Sequence, residues 1–124
     1  MKPIHTEMAP AAIGPYSQAI VHDGLVYCSG QVALSPQGEW VRGTAAQEAR
    51  QALTNLSQVL TAAGAGLDTA LKVTVYLQDM GEFASVNEVY AEFFGAHRPA
   101  RACVEAASLP GGARVEIDCV AAVR

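Results

Sequence analysis

Leu71-Lys72-Val73-Thr74-Val75-Tyr76-Leu77-Gln78-Asp79 alternates apolar and polar side chains without a break. That period-two pattern predicts a strand with Leu71, Val73, Val75 and Leu77 turned to a core and Lys72, Thr74, Tyr76 and Gln78 turned away. A helix is predicted on each side of it. Upstream, Thr44-Ala45-Ala46-Gln47 has the form of a capping box and Gly64 supplies a stop. Between them Ala49, Ala52, Leu53, Leu56, Val59, Leu60 and Ala63 recur at helical spacing. Downstream, a helix from about Glu82 to Phe94 carries the stripe Phe83, Val86, Tyr90 and Phe93 and ends at Gly95.

Working outward, Ser17–Val21 and Leu25–Ser29 are β-prone runs joined by His22-Asp23-Gly24, a hairpin turn. Ser35-Pro36-Gln37-Gly38 turns into a short run at Glu39-Trp40-Val41. After Arg98-Pro99 come strands over about Ala100–Ala106 and Ala113–Val123, linked by Leu109-Pro110-Gly111-Gly112. In the last of these, Val115, Ile117, Cys119, Ala121 and Val123 alternate with polar positions. The order ββ(β)αβαββ reads as one α+β domain over residues 1–124, a mixed sheet with two helices packed on one face. The other face is expected to hold Thr74, Tyr76, Arg101, Cys103 and Glu116, too mixed for a dry core. A subunit interface enclosing a wet pocket would satisfy it. A chain of this size buries only about 65% of its unfolded surface, and oligomerisation is a common remedy.

Of the 124 residues, 51% are hydrophobic and 16% charged, which excludes a disordered tail. Eight Lys+Arg against twelve Asp+Glu leave a net charge of −4 and no basic stripe, so nucleic acid is not the expected partner. No apolar run approaches the ~20 residues of a membrane span. Met1-Lys2-Pro3-Ile4-His5-Thr6-Glu7 has no secretory character, so a cytoplasmic protein is expected. Cys28, Cys103 and Cys119 are odd in number and widely spaced, as reduced thiols would be.

His5, His22 and His97 are isolated, and no Cys/His cluster has ligand spacing, so no metal is expected. Phosphate-loop and dinucleotide motifs are absent, and no cofactor is expected. Arg101 opens a strand just after Pro99. Its guanidinium could grip a small carboxylate through two parallel hydrogen bonds, or serve an ordinary ion pair between strands or subunits. Glu116, between Val115 and Ile117, could orient or deprotonate a water, or pair with Arg101 or Arg114. Cys103 has no histidine nearby in sequence and reads as a thiol lining a pocket. Ser29-Gly30-Gln31 closes a strand without a nucleophile elbow; a glycine there lets backbone approach a ligand. Tyr16, in Ile13-Gly14-Pro15-Tyr16-Ser17-Gln18, could cap the core or reach a site.

Six stretches, in order along nearly the whole chain, resemble the RidA family of imine/enamine deaminases. They are residues 9–19, Ser29-Gly30-Gln31, the helix end Asn55 to Gly64, residues 86–94, Pro99-Ala100-Arg101-Ala102-Cys103-Val104-Glu105, and Leu109-Pro110 leading to Val115-Glu116-Ile117. The resemblance implies a chorismate-mutase-like fold assembled as a homotrimer with sites between subunits. It further implies hydrolysis of 2-imino acids such as 2-iminobutanoate and 2-iminopropanoate, and of their enamine tautomers, to 2-oxo acids and ammonia. Arg101 would hold the substrate carboxylate and Glu116 would position the attacking water. Tyr16, Ser29, Asn87 and Cys103 fall on the remaining pocket positions, with Gly30 and Gln31 contributing backbone groups. A non-catalytic carboxylate sensor, a deaminase for a larger enamine of the aminomuconate type, and the RNA-cleaving or chaperone roles attributed to some relatives are the competing readings.

Overall fold

The computed structural model describes residues 1–124. The elements run β1 (Lys2–Ile4), β2 (Ala19–His22), β3 (Leu25–Gln31), α1 (Ala45–Ala62), β4 (Ala70–Leu77), α2 (Phe83–Phe94), β5 (Ala100–Glu105) and β6 (Val115–Ala122). The six strands form one sheet in the order β1-β2-β3-β6-β4-β5. All neighbours are antiparallel except β4 and β5, which α2 joins as a crossover. This is the expected α+β arrangement of a mixed sheet with two helices.

Local chemistry accounts for the boundaries. Thr44 caps α1: its hydroxyl accepts from Gln47 N at 3.1 Å, while Gln47 Oε1 accepts from Thr44 N at 2.8 Å. Asp23 and Gly24 take φ of 51° and 77°, the left-handed pair a tight β2–β3 hairpin requires. Leu53, Leu56, Val59 and Leu60 of α1 are fully buried, as are Val26, Val73, Leu77, Val115 and Ile117 of the sheet. Each such side chain contributes about 1.5–3 kcal/mol by leaving water.

Several expectations need correction. The third strand before α1 is β1, not residues 39–41, where only the single bridge Leu34–Trp40 forms. Leu71 is 48% exposed because β4 carries a bulge against β6: Ala70 faces Ala121 and Lys72 faces Val120, which leaves Leu71 unpaired. On α2 the buried residues are Val86, Val89, Tyr90 and Phe94; Phe83 is exposed and Phe93 lies at the margin of the core.

The most consequential correction concerns sheet phase. Val73 pairs with Arg101 and Val75 with Cys103, so Arg101 and Cys103 project from the helix-covered face. Glu116 pairs with Tyr76 and Asp118 with Thr74, so these four occupy the uncovered face. The one face expected to hold all five residues is therefore two faces. Pro99 and the parallel crossover set the phase of β5, and neither reveals it in sequence.

Candidate active site

A second bulge builds the larger cleft. Cys28 faces Cys119 and Gln31 faces Ile117, so β3 has one residue more than β6 over this stretch, at Ser29-Gly30. The bulge bends β3 next to Glu116, and bulges commonly re-aim groups at functional sites. Were Gly30 to carry a Cβ, it would sit 2.5 Å from Glu116 Oε2, 2.9 Å from Cδ and 3.0 Å from Cγ. Glycine is thus required for the carboxyl to lie across the strand. Ser29 Oγ donates to Ser17 O at 2.6 Å and Ser29 N to Gln18 O at 3.0 Å, tying the bulge to the preceding segment.

The resulting cleft measures about 590 Å³, and Tyr16, Gln18, Ser29, Gly30, Gln31 and Glu116 are among the residues that line it. Buried Gln18 organises one rim. Its Oε1 accepts from Thr6 N at 2.7 Å, and its Nε2 donates to Thr6 O at 3.1 Å and Pro10 O at 2.8 Å. Buried Asn55 of α1 holds the opposite rim by donating to Val32 O at 3.1 Å and Leu34 O at 2.8 Å. Burial, reinforced by the Asp118 carboxylate, raises Glu116 above the ordinary carboxyl range. Glu116 thereby retains a proton more readily than a free glutamate, which suits a group that must both take and return one.

Arg101, Asn87 and Cys103 stand apart, at the rim of the helix-covered face along the free edge strand β5. Arg101 Nη1 donates to Asn87 Oδ1 at 2.7 Å, and the guanidinium lies 4.7 Å from the Tyr90 ring centroid and 5.5 Å from that of Phe83. The two rings are its cation–π partners, and Arg101 also lines an open cleft of about 490 Å³. Cys103 is half-buried, and burial raises its thiol against the opposing pull of Arg101.

Neither Arg101 nor Glu116 enters an ion pair; the pairs in the chain are His22–Asp23, Arg50–Glu92, Arg114–Glu48 and Arg124–Asp68. Within one chain, then, neither residue is half of a salt bridge. Sequence reading missed Gln18, Asn55 and Trp40. The signal for the first two was an amide inside an apolar stretch, which must find partners when buried. Glu48 is another such group: fully buried, it accepts from Arg114 N at 2.9 Å and helps fix the start of β6. No three His, Cys, Asp or Glu side chains lie close enough to form a metal-ligand group. No helix is long and apolar enough to cross a membrane.

A small α+β protein with a half-buried carboxyl in one cleft and a free guanidinium in another is equipped for acid–base chemistry on small anions. The chain belongs to the family described as Endoribonuclease L-PSP, the RidA group its motifs resemble, whose model matches residues 6–123. It is 50% identical over 121 residues to the 2-iminobutanoate/2-iminopropanoate deaminase of Mus musculus, covering 97% of this chain and 90% of that one. Among solved structures it is similar to yeast Mmf1, with a TM-score of 0.97, 39% identity and coverage of 99% and 98%. It is also similar to E. coli TdcF with bound serine, with a TM-score of 0.95, 37% identity and full coverage of both chains.

Proposed function

We propose that this chain is a 2-imino acid deaminase, converting substrates such as 2-iminobutanoate and 2-iminopropanoate to 2-oxo acids and ammonia, and that it works as a cytoplasmic homotrimer. The observation carrying the reading is the free pair of complementary groups: Arg101 with no acid partner and Glu116 with no base partner. The name borne by the mouse relative, at 50% identity over nearly the full chain, points to the same chemistry.

Because the two groups project from opposite sheet faces, one chain does not bring them to one substrate. A neighbouring copy would: the edge strand β5 of one subunit would present Arg101 and Cys103, with Asn87 of α2 beside them, to the cleft that Tyr16, Ser29, Gly30, Gln31 and Glu116 form in the next. The uncovered sheet face, which includes exposed Tyr27 and Val104 beside Thr74 and Tyr76, is the surface such an assembly would cover.

In the site so completed, Arg101 holds the substrate carboxylate and sets the imine carbon over the bulge. Glu116 accepts a proton from a water as its oxygen bonds to that carbon. Glu116 returns that proton to the carbinolamine nitrogen, then takes the hydroxyl proton as the C–N bond breaks and C=O forms, so that ammonia departs from the 2-oxo acid. The imine carbon is electrophilic already, so positioning and proton transfer suffice.

Imines generated in situ by an amino-acid oxidase or a threonine dehydratase, with semicarbazide as competing trap, provide the test. Purified protein should accelerate imine loss, and Arg101→Ala should abolish the acceleration while the oligomer persists. Decay at the rate of buffer alone refutes the assignment. The RNA-cleaving activity in the family's description has no observation in its favour: the cleft at Glu116 is lined by neither Lys nor Arg.

A further inference from the structure

The cleft at Glu116 is larger than the smallest 2-imino acid needs, and part of its wall is apolar. Ile13, Leu34, Trp40 and Pro110 line the cleft together with the polar groups around Glu116. A volume of about 590 Å³ falls within the range of sites that enclose whole organic ligands, of order 300–1,000 Å³. The sequence has one tryptophan, and it stands here.

Three contacts hold the indole rigidly. The loop bearing it is closed by the Leu34–Trp40 bridge, with Ser35 N donating to Glu39 O at 2.7 Å and Val41 N to Ala33 O at 2.8 Å. The Arg42 guanidinium lies over the ring, 4.5 Å from its centroid, and Arg42 Nη2 donates to Gly111 O at 2.8 Å. Gly111, at a φ of 63°, packs so close that a Cβ there would overlap Trp40 Cζ2 and Cη2. Glycine at 111 therefore answers two demands, a left-handed turn and room for the indole. A tryptophan fixed in this way presents apolar area at little entropic cost on binding.

We propose that Trp40, wedged between Arg42 and Gly111, is the specificity-determining wall that receives the substrate's side chain. Through it the enzyme favours 2-imino acids with bulky apolar or aromatic side chains. This rests on the deaminase reading, and it assigns the apolar wall of the same cleft. The carboxylate and imine lie by the polar groups around Glu116, and the substituent on the neighbouring carbon extends toward the indole.

The experiment compares kcat/KM for the imines that an amino-acid oxidase makes from alanine and from phenylalanine. An apolar pocket contact discriminates by roughly 10–200-fold. Trp40→Ala should accordingly lower the phenylalanine-to-alanine ratio by about tenfold or more, chiefly through KM, and Trp40→Phe should restore most of it. Gly111→Ala, which pushes the indole out of place, should lower the same ratio with Trp40 intact. Equal loss on both imines in each folded variant would make Trp40 merely structural and overturn the proposal. An unchanged or increased ratio would overturn it too. A wild-type protein inert toward both imines would instead overturn the deaminase reading, and this assignment with it.

Discussion

The carboxyl of Glu116 lies where the side chain of residue 30 would begin: an alanine Cβ at Gly30 would meet Glu116 Oε2 at 2.5 Å. Gly30 does not have a positive φ, so its backbone tolerates alanine and the collision falls on the far end of a flexible glutamate. Gly30→Ala is expected to fold normally and to lose activity by about 10- to 100-fold, as an ångström-scale misplacement of a reacting group does. Circular dichroism beside imine-hydrolysis kinetics checks both halves; full activity in the variant would dissociate Glu116 from the chemistry.

Glu116→Gln removes the proton acceptor without changing its shape. A loss of about 10²–10⁴-fold is expected, the usual scale of general acid–base help. In the wild type the acidic limb of the pH–rate profile should lie above the ordinary carboxyl range, since burial and Asp118 raise this group. Rate falls as pH drops through the raised value, because the basic form is the competent one.

The same shift has a stability consequence of opposite sense. An acid whose pKa is higher folded than unfolded keeps its proton better in the native state. Stability is then greatest below the unfolded carboxyl pKa of about 4.3 and declines as pH rises through the folded value. Glu116→Gln should abolish that decline and unfold at the same or a higher temperature than wild type near neutrality. A marked drop in Tm would show Glu116 to be a structural group.

Mixing two inactive proteins tests the shared site. Arg101→Ala and Glu116→Gln, co-refolded or co-expressed, should regain about a quarter of wild-type activity per site, as random cyclic assembly pairs intact halves. No recovery in mixed oligomers would mean that one subunit supplies both groups.

At the N-terminus of α1, Thr44→Ala removes the hydroxyl that accepts from Gln47 N and should cost about 1 kcal/mol, a few degrees in Tm. Activity at low temperature should be retained, since Thr44 touches neither cleft.

The elements were legible wherever one physical rule acted alone. Apolar spacing located α1, α2 and the body of β4; Asp23-Gly24 located the hairpin; Thr44 and Gln47 located a helix start to the residue. Illegible features came from neighbours distant in sequence. The bulges at Leu71 and at Ser29-Gly30 exist only as mismatches with β6, and β1 is three residues long with too little pattern to be seen. The site residues Arg101 and Glu116 could be picked from their strand contexts. Their placement on opposite faces could not, because alternation along one strand says nothing of its phase against another.

The extra residue at Ser29-Gly30 makes β3 a strand whose length is counted rather than merely sufficient. Deleting one residue there would restore regular pairing with β6 and swing the polar groups of the cleft toward the helices. The turn at Ser35–Gly38 lies outside the ladder and can absorb such a change. Loop grafts or insertions that aim to widen the pocket therefore belong in that turn, and β3 should be transplanted whole or left alone.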